Sequence, residues 1–154
     1  MNNQRISFQE IFPLIEEKIA KGESFSFLAH GDSMLPFLKN GKDLVTLSPV
    51  TNKIKPGDVI FYRRENGMFV LHRVIKTFDN GEMWLCGDNQ LYIEQNIFPC
   101  QVIAILTGIE RDGKKVSLSS FSYKLYLTWL SVKRNTKLFY YRVKNKILRI
   151  LKQK

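Results

Sequence analysis

Sulfur and proline are scarce in this chain, acid is missing from its last quarter, and each shortage closes off a class of protein. The 154 residues hold two cysteines, Cys86 and Cys100. That is too few for a disulfide framework, and their spacing forms no zinc pattern with His30 and His72. Both read as ordinary core thiols, and neither a metal nor an organic cofactor is implied. Five prolines and nine glycines rule out a collagen-like or low-complexity chain. No window carries the run of 18 or so uncharged apolar residues that a membrane-crossing helix needs. The opening Met1-Asn2-Asn3-Gln4-Arg5 leads to Glu10, Glu16 and Glu17 rather than to the apolar stretch of a signal peptide, so a cytosolic protein is expected.

The last acidic residue is Asp112, whereas 12 of the 24 lysines and arginines follow it. Positions 1 to 112 therefore hold 12 basic against 14 acidic residues, a net of −2, and the tail carries +12. The overall charge of +10 belongs to the tail. With 44% apolar and 12% aromatic residues, the remainder has the balance of a globular domain with its own core.

A helical period opens the chain: Phe8, Ile11, Phe12, Ile15 and Ile19 share one side, Ser7 and Glu10 have capping-box spacing, and Gly22 suits a stop. Because proline fits the first turn of a helix and is costly further in, the regular helix is expected from about Pro13 to Lys21. From Ser24 the pattern changes to short apolar or alternating runs, and strands are expected near 25 to 30, 43 to 48, 58 to 63, 68 to 78, 82 to 86 and 101 to 110. Asn66-Gly67, Asp79-Asn80-Gly81 and Asp112-Gly113 tolerate positive φ and read as hairpin turns, and Pro56-Gly57-Asp58 as a turn into Val59-Ile60-Phe61-Tyr62. Asp43 and Asp58 read as turn residues. Residues 121 to 154 return to helical spacing. Leu125, Trp129 and Val132 share a face, and Phe139, Val143, Ile147, Ile150 and Leu151 occupy one sector with most lysines and arginines in the others.

The chemistry is concentrated in Gly31-Asp32-Ser33-Met34-Leu35-Pro36, Leu71-His72-Arg73-Val74 and Gly87-Asp88-Asn89. A serine hydroxyl is a weak nucleophile until a nearby base takes its proton, and the base works best when a third group fixes its orientation. Ser33, His72 and Asp88 supply such a set in order. Gly31 permits a tight bend before Ser33, whose amide can face a developing oxyanion. His72 shares a strand face with Val70 and Val74, which is also where a core histidine would sit. His30 lies close to Ser33 in sequence and is a further candidate base.

Across residues 25 to 110, these blocks resemble the signal peptidase and LexA-like superfamily of serine peptidases. Ser33-Met34-Leu35-Pro36 is similar to its Ser-Met-x-Pro nucleophile motif, Pro56-Gly57-Asp58-Val59-Ile60 to its internal Gly-Asp-apolar strand entry, and Gly87-Asp88-Asn89 to its third block. Most bacterial members have a lysine where this chain has His72, and the His-Arg-Val context is similar to the endoplasmic-reticulum-type branch, which pairs serine with histidine. The resemblance implies Ser33 as nucleophile, His72 as general base and Asp88 as the orienting acid. That branch usually has an aspartate a few residues further on, and here Gln90-Leu91-Tyr92-Ile93-Glu94 offers Glu94, so the acid stands between Asp88 and Glu94. Gly31 has no side chain to donate to an oxyanion, which is closer to the repressor branch.

The expected architecture is a mainly β, signal peptidase/LexA-like β-barrel-type core over 23–118, with an N-terminal helical segment over 1–22 and a basic amphipathic helical tail over 119–154. The expected function is a serine endopeptidase acting on a protein or leader-peptide substrate. A repressor-type self-cleaving or regulatory domain, or a non-catalytic membrane-bound adaptor with the same fold, is the alternative. The tail suggests an anionic membrane surface as partner through residues 121–154, ahead of packing on its own domain and of nucleic acid. A partner subunit is a second source of a membrane anchor, and the expected location is cytoplasmic, peripheral at the inner face of the membrane.

Overall fold

The structure is a computed structural model; it describes the backbone of residues 8–151 and the side chains of residues 10–136. It divides into two compact units, Met1–Ser117 and Leu118–Lys154. The first unit is mainly β. Strands β1 (Phe25–Leu28), β2 (Asp43–Ser48), β3 (Val59–Arg63), β4 (Phe69–Thr77), β5 (Met83–Cys86), β6 (Glu94–Ile97), β7 (Val102–Arg111) and β8 (Lys114–Lys115) pair antiparallel throughout. The pairing order is β1-β2-β7-β3-β4-β5-β6, with β8 on β7. β1 and β6 end an open path.

Three expected hairpins form: 64–68 joins β3 to β4, 78–82 joins β4 to β5, and 112–113 joins β7 to β8. Asp58 accepts from the Lys55 amide at 2.9 Å, as a turn residue does. Asp43 departs from its expected turn role. It opens β2 completely buried, its carboxylate held by the Arg111 guanidinium at 2.6 and 2.7 Å and by the Lys39 amide at 2.8 Å. Burial raises its pKa, but these hydrogen bonds outweigh burial and leave it lowered.

β6 escaped the sequence reading because Glu94-Gln95-Asn96-Ile97 carries little β propensity and Asn96 adopts φ 58°. Its register is set by Leu85 opposite Glu94 and Met83 opposite Ile97. The two-residue β8 is too short to leave a pattern.

Both faces of β3 are buried. Ile60 and Tyr62 join Val74, Met83, Leu85 and Ile97 in one core cluster, and His72, opposite Ile60, lies on that side of β4. On the other side Phe61 stands 5.7 Å from Phe69, 5.9 Å from Phe27 and 6.1 Å from Phe25, ring centre to ring centre.

Helix α1 (Phe8–Ala20) adds Phe12, 4.6 Å from Phe69. α1 starts before Pro13 and carries the proline inside it, contrary to expectation. The apolar face from Phe12 onward, with Ile15 buried, offsets the one backbone hydrogen bond that proline cannot donate. The helix closes at Gly22, φ 79°, with Glu23 N donating to Lys18 O and Gly22 N to Ile19 O. The expected capping residue Ser7 lies outside the described residues. Cys86 is buried as expected, whereas Cys100 is exposed in a short 3-10 turn, Pro99–Gln101; it is no core thiol.

The second unit is one helix, α2 (Phe121–Leu151). Ser120 caps it, its Oγ accepting from the Tyr123 amide at 3.2 Å. The expected sector of Phe139, Val143, Ile147, Ile150 and Leu151 falls on side chains outside those described. Among the described residues, no helix is long and apolar enough to cross a membrane.

Candidate active site

Ser33 lies in an irregular loop between β1 and β2. Gly31 enters the loop at φ 92°, in the left-handed region. Asn40 braces it: its Oδ1 accepts from the Gly31 amide at 3.2 Å and its Nδ2 donates to Asp32 Oδ1 at 3.1 Å. The apolar residues that follow, Met34, Phe37 and Leu38, are buried and act as an anchor, while Ser33 stays partly accessible. Neither its hydroxyl nor its amide forms a hydrogen bond with a described residue.

The loop is fastened at its backbone by Gly87-Asp88-Asn89, which follows β5. The Asn89 amide donates to Ser33 O at 2.8 Å and Asn89 Nδ2 to Asp32 O at 3.2 Å. Gly87 passes so close that a Cβ there would lie 2.5 Å from Ser33 O. Asp88 is bound through both carboxylate oxygens to Arg73, at 2.8 and 2.6 Å, with both side chains essentially buried. Arg73 also donates to Gly57 O at 2.7 Å and covers the Phe37 ring at 4.5 Å. One arginine therefore joins the 87–89 block, the Pro56-Gly57-Asp58 turn and the serine loop. Arg73 is next to His72 on β4 and, by strand alternation, points to the opposite face.

His72 is 1% exposed. Of the two carboxylates weighed from the sequence, Glu94 is the one brought to its ring: Glu94 Oε1 lies 3.0 Å from Nδ1. Glu94 Oε2 accepts from Tyr62 OH at 2.8 Å and Arg64 Nε at 2.7 Å, and Oε1 also accepts from Arg64 at 2.5 Å. Three donors of Tyr62 and Arg64 thus meet two oxygens, one of which also faces Nδ1. An ionised carboxylate only accepts, and Tyr62 gives its proton to Glu94, so Nδ1, 3.0 Å from Glu94 Oε1, is the ring nitrogen suited to carry the imidazole proton. Nε2 is left with its lone pair and has no hydrogen bond to a described residue.

The electrostatics support this protonation state. Burial raises the Glu94 pKa, but hydrogen bonds from Arg64 and Tyr62, with the arginine charge, outweigh it and keep the carboxylate ionised. Burial lowers the His72 pKa below its ordinary 6.5, and the opposing pull of Glu94 does not cancel it. The result is a neutral imidazole with an open nitrogen, a form suited to accept a proton. Burial, then Glu94, raises the Tyr62 pKa far above the usual phenol value, leaving it a fixed donor.

His30 is exposed. The sequence assigns no role to Arg64, Tyr62 or Arg73, although Arg73 stands in the His72 block. The signal for Tyr62 was alternation on β3, which puts it on the His72 side; Arg64, in a hairpin, carried none. Among the described residues no group of three or more His, Cys, Asp or Glu side chains is arranged to hold a metal.

Residues 2–107 match the Peptidase S24-like family. The chain belongs to that family. Its membership agrees with the mainly antiparallel core and places the chain in the LexA and signal peptidase-like serine peptidase superfamily, a fold shared by hydrolases and self-cleaving repressors. The S24-like match covers the three blocks that carry the resemblance, around Ser33, His72 and Asp88, and stops before α2. A comparison with curated proteins finds no match.

Proposed function

We propose that this S24-like protein is a serine endopeptidase with Ser33 as nucleophile, His72 as general base and Glu94, rather than Asp88, as the acid that orients the base. The observation that carries the reading is the buried His72 ring with Glu94 at 3.0 Å from Nδ1 and Nε2 unoccupied, in a chain whose Ser33 hydroxyl is uncommitted. Ser33 Oγ attacks the substrate carbonyl, and His72 Nε2 takes the hydroxyl proton and returns it to the leaving amine. The imidazolium formed in between is stabilised by ionised Glu94. The Ser33 amide, which has no partner among the described residues, is in this reading the backbone donor for the oxyanion. Water then releases the acylated serine. The Ser-His pairing favours the resemblance to endoplasmic-reticulum-type signal peptidases and a protein or leader-peptide substrate.

The test is mass-spectrometric mapping of protein N-termini in cells carrying wild type, Ser33→Ala or His72→Ala, with folding checked by circular dichroism. Termini present only with wild type are expected, and they name the substrate. A Ser33-dependent cut within the chain itself would reassign the activity to self-processing, and identical maps from three folded proteins would overturn the peptidase reading in favour of an adaptor.

A further inference from the structure

Helix α2 is the part of the chain that the catalytic reading does not use, and its exposed face is unusual. Phe121, Leu125, Trp129 and Val132, at i, i+4, i+8 and i+11, lie on one side of the helix and are exposed by 75%, 54%, 49% and 58%. Large apolar side chains left in water in a row mark a surface that something covers. The sequence continues the period with Phe139, Val143, Ile147 and Ile150. Aromatic rings accompany the stripe: Tyr126 stands 5.9 Å from Trp129, and Lys133 Nζ lies 4.8 Å over the Trp129 ring. After Asp112 the chain has no acidic residue, and ten lysines and arginines follow position 120.

We propose that α2 lies flat on an anionic lipid bilayer, with this stripe at the boundary between headgroups and acyl chains and its basic residues, apart from the buried Arg134, on lipid phosphates. Charge and apolarity together select this occupant. Nucleic-acid phosphates would engage the cations but leave the apolar stripe in water, whereas a bilayer interface takes up both, and Trp and Tyr favour headgroup depth. A second copy would cover the stripe only by bringing two tails of +12 together, and like charge opposes that. A helix of 31 residues is about 46 Å long, enough for several basic residues to act at once, each adding to attraction for an anionic surface.

The experiment uses the full chain with phosphatidylcholine vesicles, with and without phosphatidylglycerol. Of the two tryptophans, Trp84 and Trp129, the first is replaced (Trp84→Phe) so that emission reports Trp129 alone. Co-sedimentation and a blue shift of Trp129 emission are expected with anionic vesicles and not with phosphatidylcholine alone. The paired substitution Leu125→Ser and Trp129→Ser, at exposed positions that leave folding intact by circular dichroism, should weaken co-sedimentation by about tenfold or more. No binding to anionic vesicles overturns the proposal. So does binding that the paired substitution leaves unchanged, or duplex DNA that removes the protein from vesicles while the same substitution leaves DNA binding intact, which would assign the tail to nucleic acid.

Discussion

Replacing Glu94 by Gln removes one charge from the centre of the proposed site and leaves nearly the same shape. The carboxylate stands 3.0 Å from His72 Nδ1, and at an effective dielectric of about 20 two unit charges at that distance attract by about 5 kcal/mol. Arg64 draws on the same carboxylate, so roughly half of this is taken as available to an imidazolium, on the order of a 10²-fold loss in rate. Phosphonylation of Ser33 by a fluorophosphonate, followed by intact mass, reads that rate without a known substrate. With only two histidines in the chain and His30 exposed, imidazole nitrogen NMR resolves His72 directly. Wild type should show a neutral ring protonated at Nδ1 and titrating below the ordinary 6.5, because burial lowers the pKa more than Glu94 raises it. In Glu94→Gln the burial remains and the supporting charge is gone, so the pKa falls further. A base must be neutral to act, so the rate rises with pH through that pKa; the rising limb should move to lower pH while the plateau drops. An Nε2-protonated ring in wild type, or a variant with unchanged rate and titration, would refute Glu94 as the orienting acid and return the role to Asp88.

Three other perturbations separate scaffold from chemistry. Gly87→Ala puts a Cβ 2.5 Å from Ser33 O and 3.0 Å from Gln90 Oε1, so the serine loop must move; near-complete loss of Ser33 phosphonylation is expected with the His72 titration preserved. Asp88→Asn breaks an essentially buried ion pair with Arg73 and should cost about 3–5 kcal/mol in urea denaturation, again with His72 still protonated at Nδ1; a lost Nδ1 proton would show that Asp88 orients the ring. Thermal melting from neutral pH downward should show stability falling first below about 6.5, where the unfolded chain takes up the His72 proton before the folded one. A second fall is expected as Glu94 and Asp43, both held below their ordinary values of 4.5 and 3.8, are protonated. His72→Gln should remove the first decline and keep the second.

What the sequence made legible follows from which signals are local. Alternating or continuous apolar runs and turn residues locate β1 to β5 and β7 to within a few residues, because Gly, Asn, Asp or Pro lies near the strand ends and one face, or in β3 both faces, meets a core. β6 is held by its neighbour rather than by its own residues: Glu94 and Ile97 register on Leu85 and Met83, and pairing of that kind leaves no mark in the segment itself. The helix starts ahead of Pro13, not at it, because the packing of Phe12 on Phe69 outweighs proline's local cost, and only that cost is visible in the segment itself. Asp43 looked like a turn residue because its partner, Arg111, is 68 positions away. The same limit applies at the site: Ser33, His72, Asp88 and Glu94 are all visible as residues, but the pairing of Glu94 with His72 and of Asp88 with Arg73 depends on register between distant strands.

That pairing divides the polar groups into two sets on opposite faces of β4. On one face Arg73 gathers Asp88, Gly57 O and the Phe37 ring; Asn89, next to Asp88, holds the serine loop by the carbonyls of Ser33 and Asp32. On the other face Arg64 and Tyr62 saturate Glu94, which faces His72 Nδ1. Consecutive residues on one strand, His72 and Arg73, therefore carry the proposed base and the clamp on the loop that holds Ser33. A shift of register in β4 by one residue would exchange the two faces and disable both. The Gly-Asp-Asn block, prominent in the sequence, then owes its composition to holding a loop: glycine for a close backbone approach, aspartate for a buried arginine, asparagine for two carbonyls. Glu94, on a strand that its own sequence barely announces, is left as the carboxylate in contact with the imidazole.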